Sequence, residues 1–131
     1  MSDPDKLHEN PISKEIVDAA FEIHTRLGPG LLESVYEVIL AAELTSRGLS
    51  IHRQVPVPVI WKDVHFVEGY RLDLIVENKV LVEVKSVEAV EPVHKKQLLT
   101  YLRLMDKRLG LLINFNEALI RDGISRVVNG L

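Results

Sequence analysis

The spacing of apolar residues changes along this chain, and each change predicts a change of secondary structure. From Ser13 onward Ile16, Val17, Ala20, Ile23 and Leu27 recur at intervals that line one face of a helix. Ser13 suits its N-cap. Gly28-Pro29-Gly30 ends it, because glycine takes left-handed conformations and proline cannot continue the hydrogen-bond ladder. Residues 1–12, polar for most of their length, are expected to form a flexible tail. A second helix is predicted from about Leu31 to Arg47 and stopped by Gly48, with Val35, Val38, Ile39, Ala42 and Leu44 buried and Glu33, Tyr36 and Glu37 clustered at helical spacing. Ile51–Trp61 alternates as a strand with Val55, Val57 and Val59 on one face, while Pro56 and Pro58 predict an edge position. His65–Val76 reads as one long strand in which Gly69 marks a bulge.

Leu72–Val76 and Val80–Val84 are apolar, β-branched runs on either side of Glu77-Asn78-Lys79, a turn signal between strands. Alternation puts Leu72, Leu74 and Val76 on one face with Val80, Val82 and Val84, and leaves Arg71, Asp73, Ile75, Leu81, Glu83 and Lys85 on the other. If the turn comprises that triplet, Asp73 stands directly across from Glu83, with Cβ atoms roughly 5 Å apart. Like charges so placed call for a cation, a shared proton or solvent exposure, and Lys85 on the same face or a divalent metal could supply the charge. A two-residue turn would instead separate the acids and leave an amphipathic hairpin with one wet face.

Glu91-Pro92 opens a third helix, since proline suits a first turn. Val93, Leu98, Leu102 and Met105 are its packing residues, Gln97 and Tyr101 share a face, and Lys95, Lys96, Arg103, Lys107 and Arg108 make it the most basic part of the chain. Leu109–Phe115 is continuously apolar, the mark of a strand buried on both faces. Glu117–Leu131 could add a last strand or cap, with Asp122-Gly123 a turn. No repeat or linker divides residues 13–131, which are expected to be one domain.

Composition narrows the chemistry. At 131 residues the chain can bury a core without staples, and with no cysteine it has no disulfide, thiolate zinc site or thiol nucleophile. No run approaches a membrane span and the first residues do not read as a signal, so a soluble, cytoplasmic protein without membrane contact is expected. The net charge of −3 argues against a wide basic nucleic-acid footprint. His24, His52, His65 and His94 lack metal-ligand spacing, and His8 lies in the tail.

The order of helix, acid-bearing strand, Glu-Val-Lys strand, helix and buried strand resembles the PD-(D/E)XK nuclease superfamily, and Gly30-Leu31-Leu32-Glu33-Ser34-Val35-Tyr36 resembles its small GxxExxY family. The resemblance implies an α/β fold with a restriction-endonuclease-like core, a mixed β-sheet flanked by helices. It matches Asp73 to the PD acid, although Leu72 replaces the proline, and Glu83 with Lys85 to the (D/E)XK element. It also matches Glu33 to the acid on the first core helix and Gln97 with Tyr101 to a QxxxY motif. The implied cofactor is Mg²⁺ or Mn²⁺, held by Asp73 and Glu83 with Glu33 and the Val84 carbonyl. The implied reaction is phosphodiester hydrolysis on DNA in the first place and RNA in the second. Each motif also has a purely structural explanation: Glu33 as a carboxylate favoured by the helix dipole, Gln97 and Tyr101 as a helix edge. The rival class is a nuclease-fold module that binds or assembles without cutting, as a homodimer or with a protein partner.

Overall fold

The apolar runs become the middle of a five-stranded mixed sheet in the computed structural model, which describes residues 8–131. In chain order the elements are α1 (Glu9–Leu27), α2 (Glu33–Ser46), β1 (Ile51–Pro56), β2 (Val59–Trp61), β3 (Val64–Phe66), β4 (Arg71–Val76), β5 (Val80–Lys85), α3 (Pro92–Met105), β6 (Leu109–Asn114), α4 (Ile120–Gly123) and β7 (Ile124–Val128). The sheet order is β1-β4-β5-β6-β7, and β2 pairs with β3 in a separate ribbon. Only β5 and β6 are parallel, which requires the crossover that α3 supplies.

Helices cover both faces of the sheet. On one, Ile16, Ala20, Leu40 and Leu44 pack against Leu74, Val76, Val82, Val84, Leu111 and Ile113. On the other, Leu98, Tyr101 and Leu102 of α3 pack against Leu72, Ile75, Leu81 and Leu112. Central strands enclosed in this way have no wet face, which is why β6 is buried at every position and why the amphipathic-hairpin alternative does not apply to β4 and β5. Each fully buried Leu, Ile or Val contributes roughly 1.5–3 kcal/mol of transfer free energy. Arg47 clamps the two helices on the first face, donating to Glu43, Glu15 and Glu22.

The hairpin turn has the expected length. Val76 pairs with Val80, Lys79 N–H donates to Val76 O at 3.0 Å, and Glu77 and Asn78 both take φ of 53°. Positive φ at both central residues matches the twist of the flanking strands.

Several expectations are corrected. Helix α1 starts at Glu9, so residues 9–12 are helical rather than tail; Ser13 is buried inside it, and His8 occupies the capping position. Residues 1–7 of the expected tail lie outside the described residues. Helix α2 buries Tyr36, Glu37, Leu40, Ala41 and Leu44 and turns Val35, Val38 and Ala42 outward. It is apolar nearly all round, so periodicity alone could not orient it. Val93 of α3 is exposed as well. Ile51–Trp61 breaks at Pro56, because prolines cannot donate to a ladder; of that stretch β1 joins the sheet, as an edge strand, and β2 goes to the ribbon. His65–Val76 breaks too. Gly69, at φ 128°, turns the chain between β3 and β4, with the Phe66 ring where a Cβ would stand. Finally, Leu72 does not share a face with Leu74 and Val76. It packs on the α3 side and they pack under α1 and α2, so β4 changes face at Asp73.

Candidate active site

The change of face coincides with a break in the sheet. The β4–β5 ladder pairs Val76 with Val80, Ile75 with Leu81 and Leu74 with Val82, and the next residues in that register are Asp73 and Glu83. There the side chains take over from the backbone. Asp73 N–H donates to Glu83 Oε1 at 3.3 Å, and Val84 N–H donates to Asp73 Oδ2 at 2.8 Å. On the β1 side, between the pairs Arg53↔Leu74 and Val55↔Leu72, Gln54 takes a positive φ of 53°. The predicted juxtaposition of the acids is present, and local backbone irregularity on both sides of Asp73 accommodates it.

Charge there is costly. Burial of Glu83, which is 6% exposed, pushes its carboxyl up to about 8, the charge of Asp73 adds to the rise, and Lys85 opposes it. Burial likewise raises Asp73 to about 6, against the Val84 N–H that favours its ionised form, while Glu37 pushes it further up. Near neutral pH and without a bound cation, burial and mutual repulsion therefore keep a proton on the pair.

Glu37 was not singled out from the sequence. It is 5% exposed, on the buried face of α2, and its charge pushes the Asp73 carboxyl up. Arg53 donates to its Oε2 from Nε and Nη2 at 3.1 and 2.8 Å, and Gln54 Nε2 donates to its Oε1 at 2.8 Å. Glu33, one turn earlier, is exposed beside Gly30, Leu31, Ser86 and Asn116, and among the described residues no hydrogen bond joins it to Asp73 or Glu83. The signal for Glu37 was its place beside Tyr36 in the acidic cluster. Tyr36 is buried, stacks on Phe115 at 4.5 Å and donates its hydroxyl to Gly28 O, which fixes the face that α2 presents.

Lys85 follows at the end of β5, half-buried and opposite Asn114 of β6. Its carbonyl accepts the Phe115 N–H at 2.9 Å, and Ser86 Oγ donates to Leu31 O at 2.6 Å. The fully buried Asn114 side chain accepts from Val87 N–H and Asn116 N–H and donates to Val87 O, at 3.1, 3.2 and 2.9 Å. The chain beyond Lys85 is thus pinned on both sides.

Helix α3 brings Gln97 and Tyr101 to one groove. Its volume is about 620 Å³, and Val59, Phe66, Tyr70, Thr100 and Leu104 line it with them. Tyr101 is 5% exposed; burial raises its hydroxyl pKa, and the charges of Glu83 and Asp73 add to the rise. Gln97 is exposed on the groove wall. Tyr101 therefore stands within the field of Asp73 and Glu83, Gln97 lines the groove beside Tyr101, Lys85 ends the strand that carries Glu83, and Glu33 lies at the α2 N-terminus beside Ser86.

Among the described residues no group of three or more His, Cys, Asp or Glu is placed to hold a metal ion, and His24 is engaged with Glu117 O. The Asp73–Glu83 pair nevertheless fits a hard divalent cation in its donor chemistry. Mg²⁺ is bound through one or two carboxylates and keeps several waters, and positive charge would relieve the cost of ionising both groups.

A family model of the PD-(D/E)XK nuclease superfamily matches residues 10–127. The chain belongs to that superfamily. Both acid-bearing strands, helices α2 and α3, and all of α1 but its first residue lie inside the match, and the mixed sheet between helix layers is the architecture expected of a PD-(D/E)XK nuclease-like fold. Membership in the PD-(D/E)XK nuclease superfamily brings a nuclease-like function, nucleic acid as the class of ligand, and the general use of divalent metals. No curated protein and no solved structure matches the chain.

Proposed function

We propose that this protein hydrolyses phosphodiester bonds in DNA, with RNA the second candidate, using Mg²⁺ or Mn²⁺ held by Asp73 and Glu83. The observation that carries the reading is the break in the β4–β5 ladder. Two acids occupy it, each engaged by a backbone N–H of the opposite strand, and their ionisation is unfavourable until a cation arrives. A bound ion would supply a lowered water pKa and stabilisation of the phosphate and leaving oxygen.

The chain's own residues supply the rest. Glu37, tied by Arg53 and Gln54, positions Asp73. The Val84 carbonyl is a further oxygen donor at the site, whereas the exposure of Glu33 suits the α2 N-terminus. Lys85 orients the attacking water and faces charge developing on the phosphate. Tyr101 and Gln97 hold the phosphate or support the acids from the groove. The basic residues of α3 meet backbone phosphates without reading bases. Assignment to the GxxExxY branch rests on Gly30, Glu33 and Tyr36, and a cysteine-free chain suits a reducing cytoplasm.

The test is Mg²⁺ and Mn²⁺ titration by calorimetry on wild type and Asp73→Ala, with the same samples assayed on single- and double-stranded DNA and RNA. Binding and metal-dependent cleavage should both vanish in the variant, and Lys85→Ala should lose cleavage while keeping metal. The non-cutting assembly module has one observation in its favour, the outward apolar residues Leu32, Val35 and Val38 of α2 and its approach, which would suit a second copy. Metal-independent dimerisation without any cleavage would select it.

A further inference from the structure

We propose that the aromatic groove between α3 and the β2–β3 ribbon stacks unpaired nucleobases next to the scissile phosphate, so that the substrate is a single strand or an unpaired end. This deepens the nuclease reading and rests on it. The ribbon pairs Val59 with Phe66 and Trp61 with Val64, so alternation places all of these on one ribbon face, the face that lines the groove through Val59 and Phe66. Phe66 meets Tyr70 edge-on at 6.0 Å, and Tyr70 meets Tyr101 edge-on at 6.3 Å. A continuous aromatic path therefore leads from the exposed ribbon to Tyr101. That residue packs in one cluster with Leu72, which precedes Asp73, and Leu81, two residues before Glu83 on the same strand.

These rings are exposed in the wrong way for a core and in the right way for a ligand. Trp61 is 67% exposed, Phe66 51% and Tyr70 44%. The Phe66 ring is seated over Gly69, where a Cβ would collide, and Tyr70 O accepts the Val57 N–H at 2.9 Å, so the platform is anchored. Charge complements the platform. Lys62 Nζ lies 5.4 Å from the Trp61 ring, and Lys96, Thr100 and Arg103 follow one strip of α3 beside the groove-lining residues. Apolar rings flanked by cations match the alternation of base and phosphate along a single strand, and stacking accepts any base because every base has a π-face. In a duplex those faces are already stacked.

Trp61 is the chain's one tryptophan and reports on the ribbon directly. The experiment titrates the full chain, with chelator present to prevent cleavage, against three probes of about 12 nucleotides: oligothymidylate, the same strand with abasic sites, and a blunt duplex. Trp61 fluorescence and the anisotropy of the labelled probe are followed. Oligothymidylate should quench Trp61 and bind roughly tenfold or more tightly than the abasic strand. Phe66→Leu, which keeps apolar bulk, should weaken the base-containing strand about fivefold or more and leave the abasic strand unchanged. Equal affinity for both strands, preference for the duplex, or a Trp61 change that follows protein concentration without nucleic acid would overturn the proposal. Base-dependent quenching in a wild-type protein that cuts none of the probes when metal is supplied would keep the groove and reject the nuclease. Duplex cleavage without base-dependent binding would do the reverse.

Discussion

Glu83 sits where burial, a neighbouring acid and a prospective cation all act on one proton. Its carboxyl and that of Asp73 are raised on folding, so their contribution to stability is fully present below their ordinary values of about 4. That contribution is lost as pH rises through about 6 and about 8, because the folded chain must then ionise buried groups. Denaturant unfolding in chelator should accordingly show stability falling with pH across that window, with a slope of at most about 1.4 kcal/mol per pH unit for each proton. Glu83→Gln should flatten the upper part, and Mg²⁺ should restore stability at the alkaline end because it binds the folded state. The two acids of α2 separate equally clearly. Glu33→Gln should change thermal stability by about 1 kcal/mol or less and leave metal affinity alone. Glu37→Gln should cost roughly 1–3 kcal/mol and weaken metal affinity, since it disturbs a buried network around Asp73. Calorimetry with both variants checks this. The Asp73–Glu83 pairing was legible because strand alternation and a three-residue turn determine register. Glu37 was not, because α2 has apolar residues on its outward side too.

At the scale of elements, the informative places are those where a regular pattern stops. Strand β4 reads as one alternating run, yet it changes face at Asp73, where the carboxylate displaces the ladder. Proline ends β1 and Gly69 detaches β3, so one long predicted arm becomes a ribbon and a core strand. Asn114 closes the opposite side. It is buried at the end of β6, and its amide replaces backbone partners for Val87 and Asn116. Asn114→Ala should cost roughly 2–4 kcal/mol by urea unfolding, because it leaves several backbone groups without partners in a closed site. Cleavage should fall as well, since Lys85 lies opposite it in the register. An unchanged unfolding midpoint would show that water replaces the amide.

Across the whole molecule, charge is divided rather than scarce. The net value is −3, and the acids include the buried site pair and the clamp around Arg47, while Lys96 and Arg103 flank the groove without an ion pair among the described residues. Single-strand binding through those two cations and Lys62 predicts a slope of about −2.1 for log K against log salt. The double variant Lys96→Ala with Arg103→Ala should bring it to about −0.7, and a much steeper wild-type slope would mean that further cations take part. Among the described residues no helix is long and apolar enough to cross a membrane.

Local pattern was sufficient to determine the hairpin, its turn, the continuously buried β6 and the basic α3, because period, turn chemistry and apolar length act over a few residues. It also determined that Asp73 and Glu83 oppose each other. Tertiary structure alone decided which face of α2 turns inward and hence that Glu37 is buried where its charge acts on Asp73 while Glu33 is exposed. It also decided where β4 changes face, and that aromatic residues from β3, the loop after it and α3 meet in one groove. Those outcomes depend on how whole helices and strands share buried surface, and no window of sequence contains that competition.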